Sequence, residues 1–406
     1  MKDRRLIFAS AFSRALATGM LGVLLGIYLA RLRFSGGQIG LVVSLGLAGA
    51  AAAALLATLA ADRWGRKRFL IGLSLAGALA AFAALFLPQF AWVSILAFVG
   101  MFNGMGRDRG AGLIIEQAVL PLTVSDKERT FVFARYNVLQ DLGHAFGSVL
   151  AGLPLLLRHV FSVGEIGSLK MALGVYAFLT LLPTLFYAAL SPEVEAREAR
   201  EKAPLSPESR GILIRLSSLF ALDSLAGGFL TTALVSLFFF ERFGVGEAVI
   251  GALFFGARIL NALSHFGAAW LAKKIGLVNT MVFTHIPSSL FLASVPFAPN
   301  FAVAALLFLL REGLVEMDVP TRQSYVMAVV KPEERTRVSG VTHLTRLSAW
   351  AVAPSFAGLF MQGVSQAMPL YLGAGMKILY DVLLYRAFRH LKPPEEKDAV
   401  KLSHDA

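Results

Sequence analysis

Hydrophobic positions run along this chain in blocks of about 20 residues or more, the length a helix needs to cross a bilayer, with short polar stretches between them. "LIFASAFSRALATGMLGVLLGIYLA" (Leu6–Ala30) and "MALGVYAFLTLLPTLFYAAL" (Met171–Leu190) are two such blocks. Twelve are predicted, at 6–30, 37–60, 69–87, 91–119, 130–157, 168–190, 212–240, 246–271, 277–296, 300–329, 336–362 and 367–390. The polar stretches alternate in character. "DRWGRKR" (62–68), "SDKERT" (125–130), 191–211, "AKK" (272–274) and "KPEERTR" (331–337) are rich in Lys and Arg, while "PQ" (88–89), "PFAPN" (296–300) and "MQGVSQAMP" (361–369) carry no charge. Arg31, Arg33 and Arg158 lie on the sparse side, but the bias makes the rich side cytoplasmic, with both termini inside and an even number of spans.

Composition agrees with an all-α integral protein of the cell (inner) membrane. Of 406 residues 56% are hydrophobic and only 16% charged, against roughly 25% charged in a soluble domain. The net charge of +12 is accounted for by cytoplasmic loops, so no nucleic-acid partner is expected. "MKDRR" before the first apolar block resembles a signal peptide, but the block is too long and lacks a small-residue cleavage site, so an uncleaved first span is expected. With no cysteine, no His-Glu-x-x-His pattern and no Gly-Lys dipeptide, neither a metal site, a cofactor nor a Walker A loop is expected. Any uphill movement of solute must then draw on a gradient or a partner.

The longest polar stretch, 191–211, follows the sixth span and divides the chain into two six-helix halves, 1–190 and 212–392, with a tail at 393–406. Its "EVEAREAREK" portion has the acid–base spacing of a surface helix. Sliding 117–153 onto 323–359 gives ten identities in 37 positions, among them Gln117/Gln323, Glu128/Glu334, Arg129/Arg335 and Gly152/Gly358. About three or four would arise by chance, so the halves read as a parallel repeat, an architecture that transporters use with sites near the midplane.

"ADRWGRKRFL" (61–70), between spans two and three, resembles the loop signature of the major facilitator superfamily, Gly-x-Leu-Ala-Asp-Arg-x-Gly-Arg-Lys/Arg-Lys/Arg. Asp62, Arg63, Gly65, Arg66, Lys67 and Arg68 match, while Thr58 and Ala60 depart from it. The resemblance implies twelve transmembrane helices in two pseudo-symmetric halves and secondary transport by alternating access. It also implies a conformational latch at Asp62, Arg63, Gly65, Arg66 and Lys67, with Asp62 paired to an Arg or to a helix N-terminus. The second half has Gly276 in the corresponding loop but Lys273 in place of the Asp, so the latch is asymmetric. "GHAFGSVLAG" (143–152) is similar to the span-five motif of drug–proton antiporters, but Ser148 and Ala151 depart from it and Gly100 stands where the span-four Arg would be.

A charge at the bilayer centre costs a few kcal/mol, so it needs a partner or a wet cavity. Spans three, six and nine carry essentially none, which suits the peripheral places that the resemblance implies for them; Lys377 and Asp381 make span twelve the exception. Candidates for solute and proton handling are Arg14 in span one, Arg107, Asp108 and Arg109 in span four, Asp141 and His144 in span five, and Asp223 in span seven. Arg258 and Asn261 share a face of span eight with His265, and His343 and Arg346 share a face of span eleven with Trp350; in span ten Glu312 and Glu316 share one side, while Arg311 shares another with Asp318 and Arg322. Glu116, Arg135, Asp318 and Arg322 read as structural ion pairs, Asp318 and Arg322 being four apart. The triplet 107–109 is expected within a continuous helical span, one Arg at the solute path and the other tied to a neighbour, with Gly104, Gly106, Gly110 and Gly112 letting that neighbour approach.

The expectation is therefore a monomeric secondary active transporter of a small polar or anionic solute, coupled to protons, with the lipid bilayer as its other partner and no enzymatic activity. Drug efflux by proton antiport and a non-transporting receptor or scaffold are the alternatives.

Overall fold

The structure is a computed structural model that describes residues 2–123, 129–195, 206–319, 321–322, 325 and 334–389. Residues 196–202 of the proposed linker helix, residues 125–128 and 331–333 of the basic stretches, and the tail lie outside the described residues; Pro192–Val194, at the start of the linker, form a 3-10 turn.

Among the described residues the helices group into twelve segments, consistent with the twelve predicted spans. Four are α1 (Lys2–Arg31), α2 (Gly36–Trp64), α3 (Arg66–Ala84) and the pair α4 (Phe90–Val99) and α5 (Ala111–Val119). The pair α6 (Arg129–Leu150) and α7 (Leu153–Phe161) and then α8 (Glu165–Ala188) follow. Next come the pair α9 (Pro207–Phe229) and α10 (Thr232–Phe243), α11 (Glu247–Ile275) and α12 (Leu277–Ser294). The last three are α13 (Phe301–Val315), whose span has further helical residues up to Tyr325, α14 (Arg335–Gly363) and α15 (Met368–Phe388). By length and composition, eight stretches of described helix qualify by themselves as membrane-crossing.

Three spans that the hydropathy pattern presents as continuous are interrupted. The fifth breaks at residues 151–152, where Pro154 enters the first turn of α7; a proline lacks the amide proton and clashes with the preceding turn, so it starts a helix more readily than it continues one. The seventh breaks at residues 230–231 after Gly227 and Gly228, and the Thr231 hydroxyl caps α10 by accepting from the Leu234 amide. The fourth is open from Gly100 to Gly110, so the expected continuous helix through Arg107–Arg109 is corrected. Left-handed backbone at Met101 (φ 52°) and Gly106 (φ 68°) ends the helical path there.

The chain folds into two compact units. One comprises Met1–Arg200, Gly228–Gly256 and Trp350–Pro369; the other comprises Glu201–Gly227, Ala257–Ala349 and Leu370–Ala406. In the first, α1 is packed by α6, α8 and α10, and it is buried almost all round from Ala15 to Leu29, as a helix without a polar face must be. Arg31 and Arg158, which stand against the loop-charge bias, pair with Glu165 (2.8 Å) and Glu247. The core of the second unit is aromatic and aliphatic, with Leu216, Phe220, Met281, Tyr325, Val338, Tyr380 and Phe388 fully or nearly buried.

Candidate functional site

In the first unit the open segment of span four is held by its own polar side chains. Asn103 Oδ1 accepts from the Met105 amide (2.9 Å), and Asn103 Nδ2 donates to the Arg107 carbonyl (2.7 Å). Asp108 Oδ1 then accepts from the Gly110 amide (3.2 Å), next to the start of α5. Short polar side chains that bond to nearby backbone replace the helical ladder, which is why Asn and Asp suit such a break.

That segment delivers Asp108 to Arg14 of α1. Arg14 Nε donates to Asp108 Oδ2 at 2.9 Å, and its two Nη groups bind the Glu116 carboxylate at 2.8 and 2.7 Å. Glu116 is fully buried and also accepts from the hydroxyls of Tyr136 (2.6 Å) and Tyr187 (2.7 Å); Tyr187 lies against Arg14 as well. A buried charge with every lone pair occupied is retained, whereas one left bare costs several kcal/mol. His144 of α6 accepts from the Asp108 amide through Nε2 (2.8 Å). Arg109 rests on the face of Trp350, 4.5 Å from the ring centroid.

A cavity of about 110 Å³ opens beside this cluster, lined by Arg14, Ser74, Asn103, Asp108, Tyr176 and Tyr187 among others. It has room for several water molecules, and it is well short of the roughly 300 Å³ at which solute pockets begin.

The second unit gathers a different set. Asp223 of α9 is 4% exposed and faces three cations: Lys377 of α15 at 2.9 Å, Arg346 of α14 at 3.4 Å and Arg322 at 3.5 Å. Arg322 also pairs with Asp318 one turn away, the i,i+4 pair that the spacing predicts. Lys377 continues to His285 Nε2 (3.3 Å), and His285 Nδ1 meets Asp381 (2.9 Å), so the charges of span twelve are tied inside the unit. Asn261 donates to Glu312 Oε2 (2.6 Å), and Glu312 is also paired with Arg311. Arg258 is buried one turn before Asn261, while Glu316 caps the end of α13 and His343 is half-buried one turn before Arg346.

The candidate residues thus fall into two groups. Arg14, Arg107, Asp108, Arg109, Asp141 and His144 lie in the first unit; Asp223, Arg258, Asn261, Arg311, Glu312, Glu316, His343 and Arg346 lie in the second. Asp141 is half-buried, one turn before His144. Sequence reasoning did not find Asn103, Tyr136, Tyr187 or His285. For Asn103 the usable signal is its place in the glycine-rich "NGMGRDRG"; for His285 it is a lone titratable residue in an otherwise apolar span.

The Asp62–Arg68 loop is braced locally. Asp62 pairs with Arg66 of the same loop (2.8 Å), four residues on. The N-terminus of α3 is capped instead by Glu195, which accepts from the amides of Arg66 (2.6 Å) and Lys67 (3.3 Å), while Lys67 Nζ donates to the Leu190 carbonyl (2.7 Å). Gly65 (φ 94°) and Gly276 (φ 86°) both take a positive φ immediately before α3 and α12, a backbone trace of the repeat.

The profile of the Major Facilitator Superfamily matches residues 7–354 and 216–404. The chain belongs to the major facilitator superfamily. It is 25% identical over 417 residues to an uncharacterized membrane protein of Saccharomyces cerevisiae, covering 94% of this chain and 93% of that protein. Among solved structures it is similar to the nucleoside transporter NupG, with a TM-score of 0.73 at 16% identity over 96% of this chain and 99% of that one. It is also similar to an auto inhibited POT family peptide transporter, with a TM-score of 0.75 at 12% identity over 97% and 98% of the two chains. At such identities the likeness is one of fold, and the fold is that of secondary transporters.

Proposed function

We propose that this protein moves a small polar or anionic solute by alternating access of the halves 1–190 and 212–392, coupled to protons. The observation that carries the reading is Arg14 held between two carboxylates, one of them on a broken helix beside a cavity that water can occupy. A single guanidinium neutralises one carboxylate; the second is a place where a proton can be taken up when the pairing changes. Asp108 lines the cavity, whereas Glu116 is sealed by two tyrosines, so Asp108 is the residue assigned to carry the proton.

A polar or anionic solute is supported by the guanidinium groups, since these bind carboxylate and phosphate in a two-pronged manner. NupG and the peptide transporter are named for polar solutes, and the drug-antiporter alternative would call for fewer buried charges.

The test is uptake by reconstituted vesicles under an imposed pH gradient, across a panel of carboxylates, phosphates, nucleosides, peptides and amphipathic drugs. Accumulation of a polar solute that collapses when the gradient is dissipated is the expected result. Flux of drugs alone would overturn the solute class, and no flux of anything would favour the receptor or scaffold reading.

A further inference from the structure

The break in span four does more than present Asp108. Its outer turn is docked, backbone to backbone, on the break in span seven. The Gly104 carbonyl accepts from the Ala233 amide (2.9 Å) and the Met105 carbonyl accepts from the Thr232 hydroxyl (2.8 Å). Both elements are closed in by α1 without side chains intervening. A Cβ on Gly22 would lie 2.5 Å from the Gly106 Cα, and one on Gly26 would lie 2.3 Å from the Ala233 carbonyl oxygen. Two interrupted helices, one from each sequence half, therefore share carbonyl and amide groups that neither can satisfy within its own helix.

The same turn is rigidly joined to the charge cluster. Asn103 bonds to Met105 on one side and to Arg107 on the other, so it braces the docked residues against the residue before Asp108. Asp108 in turn is fixed at three atoms, by Arg14, by His144 and by the Gly110 amide. Residues 103–110 are thus a short strap with one anchor on span seven and the other on Arg14.

We propose that this strap is the coupling element between gate and proton: undocking from Thr232 and Ala233 and loss of the Arg14–Asp108 pair favour one another, with Asn103 as the positioning residue that transmits between them. The proposal rests on the alternating-access reading and names the device that links its two parts. Protonation of Asp108 removes the charge that Arg14 holds, which loosens one anchor and shifts the strap towards release. The charged and titratable groups around Asp108 are Arg14 from α1, His144 from α6, Glu116 from α5, Tyr187 from α8, and Arg107 and Arg109 in the strap itself. The α2 and α3 residues that line the cavity, Ala50, Leu70, Leu73, Ser74 and Gly77, carry no charge.

Hydrogen exchange of the purified chain and its variants at one pH, followed by mass spectrometry on peptides covering 103–110 and 231–237, tests this without any solute. Asp108→Asn, which removes the charge that Arg14 holds, is expected to lower the protection of both peptides together by roughly tenfold. Adding Asn103→Ala should confine the loss to 103–110. Protection that Asp108→Asn leaves unchanged overturns the proposal, and a loss at 231–237 that persists in the double variant overturns the role of Asn103. Should Asp108→Asn fail to fold, Thr232→Val removes the other anchor: a loss at 231–237 that does not reach 103–110 overturns the strap. Because exchange is read on protein alone, a negative result here is separate from an absence of flux in vesicles, which would bear on the transport reading.

Discussion

In one unit a single base, Arg14, stands between two acids, Asp108 and Glu116; in the other a single acid, Asp223, stands before three bases, Lys377, Arg322 and Arg346. The surroundings differ as much as the stoichiometry. Asp108 is on open backbone beside a cavity, whereas Asp223 is within the continuous helix α9 and its cations are shared with Asp318 and, through His285, with Asp381. A charge that must change state needs room and an adjustable backbone. A charge that holds helices together needs compensation on every side. On the proposed reading, the first cluster exchanges the proton and the second clasps α9, α12, α14 and α15 together.

Removing Asp223 should have the largest effect. Asp223→Ala leaves Lys377, Arg322 and Arg346 facing one another, at a cost of about 3–5 kcal/mol, and is expected to abolish the monodisperse peak in size-exclusion chromatography. Adding Lys377→Met to that variant should restore part of the folded protein; an unchanged peak for the single variant would mean that the cluster is no clasp. Next, Glu116→Gln and Asp108→Asn should differ in thermal midpoint. The first removes the two-pronged partner of Arg14 from a site sealed by two tyrosines and should cost about 3 kcal/mol, the second, next to the cavity, about 1–2 kcal/mol. Equal losses would erase the distinction between the two carboxylates. Trp350→Leu removes the ring under Arg109 and should lower stability by about 1 kcal/mol, read as a shift of the melting curve, with Trp350→Phe recovering part of it. The smallest effect is expected from Glu195→Gln, which weakens the cap of α3 by about 0.5–1 kcal/mol; a loss as great as that of Glu116→Gln would show the loop to be more than a braced turn.

The spans and their number were legible because membrane crossing is a matter of length and hydropathy, and both are local. So was the Asp318–Arg322 pair, which one helix turn brings together, and so was the loop that carries Gly65, whose counterpart Gly276 also takes a positive φ. The breaks were not legible in hydropathy. An apolar run of twenty residues has the same mean whether it is one helix or two, and glycines that read as packing surface turned out to be where the backbone of span four opens. The partners of Arg14 lie 94 and 102 positions away, and Lys377 lies 154 positions from Asp223, separations on which no local rule bears.

By itself, then, the sequence determined that this is a twelve-span membrane protein of the transporter fold, and which spans carry buried charge, because those properties follow from the cost of placing each side chain in lipid. Which acid meets which base, that span four opens at Gly100–Gly110, and that its carbonyls find their donors at Thr232 and Ala233 were decided only by the tertiary structure. A buried polar group must be satisfied, but any partner of the right chemistry will do, and only packing selects the one within reach.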